Sequence, residues 1–121
     1  MQHLPDIKNQ LRSKDLFDAF QLQLAKDFEQ SNFPSDFVAA LKPDYRSIHE
    51  KIAFELQGIV QKTNFNLMPL LNRIDIGEAQ LKKYLTESKD ENYFSVVAEL
   101  IIKRVLQKVV TKQHYRNSGN S

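Results

Sequence analysis

The residues best suited to do chemistry in this chain are His49 and Glu50, adjacent in the segment SIHEKIAFE. A histidine followed by a glutamate opens the HExxH pattern, in which two imidazoles one helical turn apart hold zinc and the glutamate acts as general base. The second imidazole would fall at position 53, and that residue is Ala53. The other histidines, His3 and His114, lie in the terminal segments, and no ExxH pair supplies carboxylates for a two-metal site in a helical bundle. His49 therefore reads as a surface or core-edge side chain. Cysteine is absent, which removes thiol nucleophiles, thiolate metal ligands and disulfides together. Gly58, Gly77 and Gly119 compose neither GxGxxG nor GxxxxGK[ST], and no GxSxG elbow exists. Asp90 and Glu91 sit where a helix is expected to start, a place that favours acids without catalysis. The sequence thus predicts no catalytic residue, no cofactor, no metal site and no enzyme activity.

The stretch LLNRIDIGEAQLKKYL, Leu70 to Leu85, is denser in polar function. As a structural hinge it reads fully. Leu70 and Leu71 end one helix, Ile74 and Ile76 enter the core, and Asp75 caps the next helix. Glu78, three residues on, reaches back in a capping box. Arg73 then pairs with Asp75, with Glu78 or with the carbonyl end of a neighbouring helix. As an alternative, the same residues resemble the helix–turn–helix pattern of DNA-binding domains: Ile74, Ile76, Leu81 and Tyr84 match its buried positions. The resemblance implies that Gln80, Lys82 and Lys83 contact DNA from the second helix. Two positions depart from that pattern, with Asp75 where glycine is usual and Leu71 where a small residue is usual. A broader likeness rests on RIDIGEAQL together with ELIIKRVLQKVV, which resembles a group of small bacterial helical proteins of unknown function. It implies a helical fold and transfers no activity.

The elements that must position these residues follow from the spacing of apolar side chains. Leu16, Phe17, Phe20, Leu24 and Phe28 put a stripe on a helix over 14–29, with Ser13 as its cap. SNFPSD interrupts it, and a short helical turn over 36–42 buries Phe37, Val38 and Leu41. Pro43 suits the first turn of the next helix, which runs to about Lys62 on Tyr45, Ile48, Ile52, Leu56, Ile59 and Val60. Short helices are expected over 69–72 and 78–86. Ser88 and Glu91 have the spacing of a capping box, so the last helix is expected to begin near Lys89 and extend about 23 residues. Glycine and proline are too scarce for a sheet-rich fold.

A chain of 121 residues, 41% hydrophobic and 26% charged, can bury one core. The predicted fold is a single all-α domain over 1–113, of about five or six helices around a long C-terminal helix, with 114–121 a flexible tail. The polar N-terminus and the lack of a long apolar run point to a cytoplasmic protein without membrane contact. Net charge is only +2, but no acid follows Glu99, while Lys103, Arg104, Lys108, Lys112 and Arg116 do. Such cations offset the carbonyl end of a helix. The last helix is apolar beyond one stripe, since Ile102, Leu106, Val109 and Val110 widen the face of Phe94, Val97, Ala98, Ile101 and Val105. That width predicts an interaction surface, either for a second copy in a homodimer or for another protein. A non-enzymatic interaction module is the expected function, and DNA binding through 78–86 is the alternative.

Overall fold

A computed structural model describes residues 7–63, 66–88 and 92–119, with side chains as far as His114. Six α-helices make up the fold among these residues: α1 (Ile7–Gln10), α2 (Lys14–Gln30), α3 (Tyr45–Thr63), α4 (Met68–Arg73), α5 (Glu78–Glu87) and α6 (Tyr93–Gly119). A 3-10 turn, Asp36–Ala40, links α2 to α3 and buries Phe37 and Val38. The described residues include no strand, so the chain is an all-helical single domain. At about 1.5 Å per residue α6 is a rod of roughly 40 Å. It packs against α3, α2 and α5.

The start and stop signals are chemical. Asp44, just after Pro43, caps α3: its Oδ2 accepts the Ser47 N–H at 2.9 Å. Pro43 thus precedes the cap rather than entering the first turn. Ser13 occupies the N-cap position of α2 without a side-chain cap bond. The last helix begins four residues later than expected, because Asn92 supplies its cap, with Oδ1 accepting the Ser95 N–H at 3.1 Å. The expected capping box through Glu91 lies outside the described residues. At its far end α6 runs through the segment expected as a tail as far as Gly119; no proline or glycine interrupts it earlier.

Asp75 corrects the hinge reading. It does not cap α5, whose N-cap is Gly77 in extended conformation with no side-chain bond. Instead Asp75 ends α4, with a left-handed φ of 68°. Its N–H donates to the Asn72 carbonyl at 3.0 Å, and the Ile76 N–H donates to the Leu71 carbonyl at 2.8 Å. These are the two bonds of a Schellman motif, and Ile76 and Leu71 are both buried beside them. Asn32 does the same for α2, at φ 62°, with Phe33 N–H donating to the Phe28 carbonyl at 2.9 Å. The Phe28 and Phe33 rings meet edge to face at 6.3 Å. Each helix therefore stops by turning its next apolar residue back into the core.

An L-residue in the left-handed region is strained by about 1–2 kcal/mol, a strain glycine does not carry. Asp75→Gly should therefore stabilise the protein by about 0.5–1 kcal/mol net of the backbone entropy glycine adds, measured by urea unfolding. Asp75→Val should be destabilising. A loss of stability in the glycine variant would show that the Asp75 side chain, and not its backbone geometry, holds the turn.

Candidate functional site

The cleft that gathers most polar function is built by three elements. Gln23, Lys26 and Asp27 project from one face of α2; Arg73 and Asp75 come from the end of α4 and its turn; Arg104, Gln107, Lys108 and Lys112 come from one face of α6. Arg104, Lys108 and Lys112 follow at four-residue steps, so they stack along the helix. The cleft is open and encloses about 660 Å³. Five of the chain's 17 basic residues line it, against two of its 15 acidic ones.

Its floor is a chain of hydrogen bonds. Asp27 is buried, and Lys108 Nζ lies 3.2 Å from its Oδ2. Gln23 Nε2 donates to the other carboxylate oxygen at 3.0 Å. Lys108 also donates to the Arg73 carbonyl at 3.2 Å, and Lys112 donates to Gln23 Oε1 at 2.7 Å. The pairs Asp27–Lys108 and Gln23–Lys112 step in opposite senses along their helices, so α2 and α6 run antiparallel here. Lys108 satisfies both a buried carboxylate and an orphan carbonyl at the end of α4.

Asp27 is the residue of the cleft that the sequence does not flag. It falls three residues after Leu24, inside the buried lattice of Phe20, Leu24 and Phe28. That position was legible as buried, but an acid on an amphipathic helix counts as solvated when its partner lies 81 residues away.

The residues singled out from sequence divide sharply. Arg73 and Asp75 reach the cleft, while Glu78 is exposed in the first turn of α5. The described ion pairs and hydrogen bonds include none joining Arg73 to Asp75 or Glu78: with Asp75 turned outward to stop α4, the expected pairing is lost. Lys82 and Lys83 are exposed on α5 and Gln80 is half-buried. The expected interaction surface on α6 is corrected. Ile102, Leu106 and Val109 are buried within the chain, and Val110 is half-buried against the same core. Other helices of the chain cover them.

His49 sits at the core edge, stacked on Tyr45 at 5.8 Å, and its Nε2–H donates to the Ser95 carbonyl at 2.8 Å. Ser95 Oγ is 3.3 Å from the same nitrogen. A nitrogen that donates to a carbonyl has no lone pair for the serine proton, so this pair ties α3 to α6 and does not activate a nucleophile. Among the described residues no cluster of three His, Asp or Glu side chains could hold a metal, and no helix is long and apolar enough to cross a membrane.

A second polar group fastens α5 to α6. Lys103 bonds the Tyr84 hydroxyl and lies 3.2 Å from Glu99. Burial alone would lower its pKa, but the Tyr84 hydroxyl and the Glu99 carboxylate outweigh that and hold it above the usual lysine value. Burial, with the nearby Glu99 charge, pushes Tyr45 up to about 12.

Two outcomes follow. Lys108→Met keeps the aliphatic stem but strands the Asp27 carboxylate, and should cost about 3 kcal/mol in urea unfolding; Asp27→Asn in the same chain should recover part of that loss. A single variant within about 0.5 kcal/mol of the parent would show that the pair does not hold α2 to α6. The raised Tyr45 pKa means that the folded state favours the neutral phenol. That contribution is complete below pH 10 and is lost as pH rises from 10 toward about 12. Tyr45→Phe should flatten the fall of the thermal midpoint in that window; an unchanged slope would assign the alkaline loss to other groups.

No family model, curated protein or solved structure matches this chain.

Proposed function

We propose that this protein is a non-enzymatic interaction module that binds an acidic segment of a partner protein in the cleft between α2, α4 and α6. One observation carries the reading: basic side chains from three separated parts of the chain converge on one open cleft, in a molecule whose net charge is only +2. Complementary charge of this kind steers association and sets specificity. The burial of Ile102, Leu106 and Val109 leaves α6 no broad apolar face for a second copy, which favours a different protein as partner. A chain without cysteine suits a reducing cytoplasm.

The helix–turn–helix alternative is supported by two features. Asp75 adopts the left-handed conformation that the glycine of that turn usually supplies, and Lys82 and Lys83 are exposed on the following helix. Exposed Glu78 and Glu87 on the same helix weigh against a phosphate-facing surface.

Fluorescence anisotropy separates the two. A labelled glutamate-rich peptide should bind at low salt and be displaced by added salt. The Lys26→Ala, Arg73→Ala double variant, altered at two exposed side chains, should bind it about tenfold more weakly or worse. If the peptide does not bind, while genomic duplex DNA does and Lys82→Ala, Lys83→Ala abolishes it, the acidic-partner reading is overturned in favour of the alternative.

A further inference from the structure

We infer that the group read by this cleft is a phosphate monoester carried on a partner protein, an inference that rests on the acidic-partner reading above. The first argument is charge. Lys108 is committed to Asp27, so the cations left to face a ligand are Lys26, Arg73, Arg104 and Lys112, against Asp75 alone. A single carboxylate would leave most of that charge unmatched. A phosphorylated side chain brings close to two negative charges and three acceptor oxygens at neutral pH.

The second argument is donor geometry. Arg73 is exposed, and its guanidinium takes part in none of the described ion pairs or side-chain hydrogen bonds. Arg104 uses one terminal nitrogen, Nη1, to donate to Gln107 Oε1 at 2.7 Å. Its Nε is buried with no hydrogen-bond partner. Nε and Nη2 together form the other edge of the guanidinium, the paired donors that grip phosphate or carboxylate oxygens side by side. A buried donor left unmatched costs free energy until an acceptor reaches it, and Arg104 lines the cleft in which an anion would be that acceptor. Gln107 holds the opposite edge, so the fork that remains is already oriented by its neighbour.

The third argument concerns what carries the phosphate. Small-molecule sites enclose most of their ligand, whereas this cleft is open along its length. A free anion there would stay largely hydrated, and the surrounding rim would be left for a larger body to cover. Duplex DNA is the poorer match, because it needs cations spaced along an extended row of phosphates, and these come from three elements that surround one cleft.

The test compares three labelled peptides of one otherwise neutral sequence, carrying phosphoserine, glutamate or serine at the central position. The phosphoserine peptide should bind at least about tenfold more tightly than the glutamate peptide, and Arg73→Ala should remove about tenfold of its affinity. Arg104→Lys, which keeps the charge and removes the fork, should narrow the preference for phosphoserine over glutamate. Lys62→Ala, exposed on α3 away from the cleft, should bind as the parent does. Circular dichroism of each variant confirms that the helices are intact. Equal affinity for the phosphoserine and glutamate peptides would overturn this inference and leave the acidic-partner reading standing. Failure of the phosphoserine peptide to bind would also overturn this inference, and the acidic-partner reading falls with it only if the glutamate-rich peptide fails as well. Tighter binding of duplex DNA than of the phosphoserine peptide, lost in Arg73→Ala, would assign the cleft to nucleic acid instead.

Discussion

The structure depends on one constraint, that α6 must be covered on more than one side. Its buried positions include the runs Val96, Val97, Ala98 and Leu100, Ile101, Ile102, as well as Val105, Leu106 and Val109. Consecutive buried residues on a helix point in directions about 100° apart, so no single neighbour can shield them. α3 and α2 make its most extensive helix contacts and α5 adds to them. A helix apolar on several sides is a bundle's central member, and the shorter helices take their places from it. The same side-chain width that suggested a partner surface in the sequence is what makes α6 the hub of its own chain.

Covering α6 requires the chain to reverse abruptly, and two polar residues make this feasible. Asn32 and Asp75 both take left-handed backbone geometry immediately after a helix. Their short side chains tolerate that region better than most, though less well than glycine. Each reversal delivers an apolar residue, Phe33 or Ile76, to the core within two residues of the helix end. The strain at these turns is offset by the burial it permits, since a fully buried Phe or Ile contributes about 1.5–3 kcal/mol.

How much was legible in the sequence follows from which interactions are local. Helix positions and the identity of the long hub were readable, because three-and-four spacing reports directly on which face is buried. Helix starts were misplaced at Pro43 and near Lys89, where Asp44 and Asn92 proved to be the caps in place of equally plausible neighbours. The short α1, which brings Leu11 into the core, escaped notice, since four residues are too few for a period to register. Arg73 and Asp75 stand out in the local sequence, but their setting does not. They face Lys108 and Arg104, some 30 residues on, and contacts at that separation leave no trace in local spacing. Asp27 is the extreme case, a buried acid whose counter-ion lies 81 residues away.

The pairing of Asp27 with Lys108 explains why a stability element and the proposed binding cleft share one location. A buried ion pair gains little over a well-packed apolar pair, but it fixes register, because only one alignment of two helices brings the charges together. Sliding α2 by one turn along α6 would bury Asp27 against carbon and strand Lys108. The alignment that satisfies this pair also sets Gln23 against Lys112, and it brings the last carbonyls of α4 within reach of Lys108. With α2, α4 and α6 locked in that arrangement, Lys26, Arg73 and Arg104 are left on the same opening, and none of the described ion pairs takes them up. The excess positive charge of the cleft is thus a consequence of how the helices are registered. A ligand that neutralises it would bind to a frame that is already fixed.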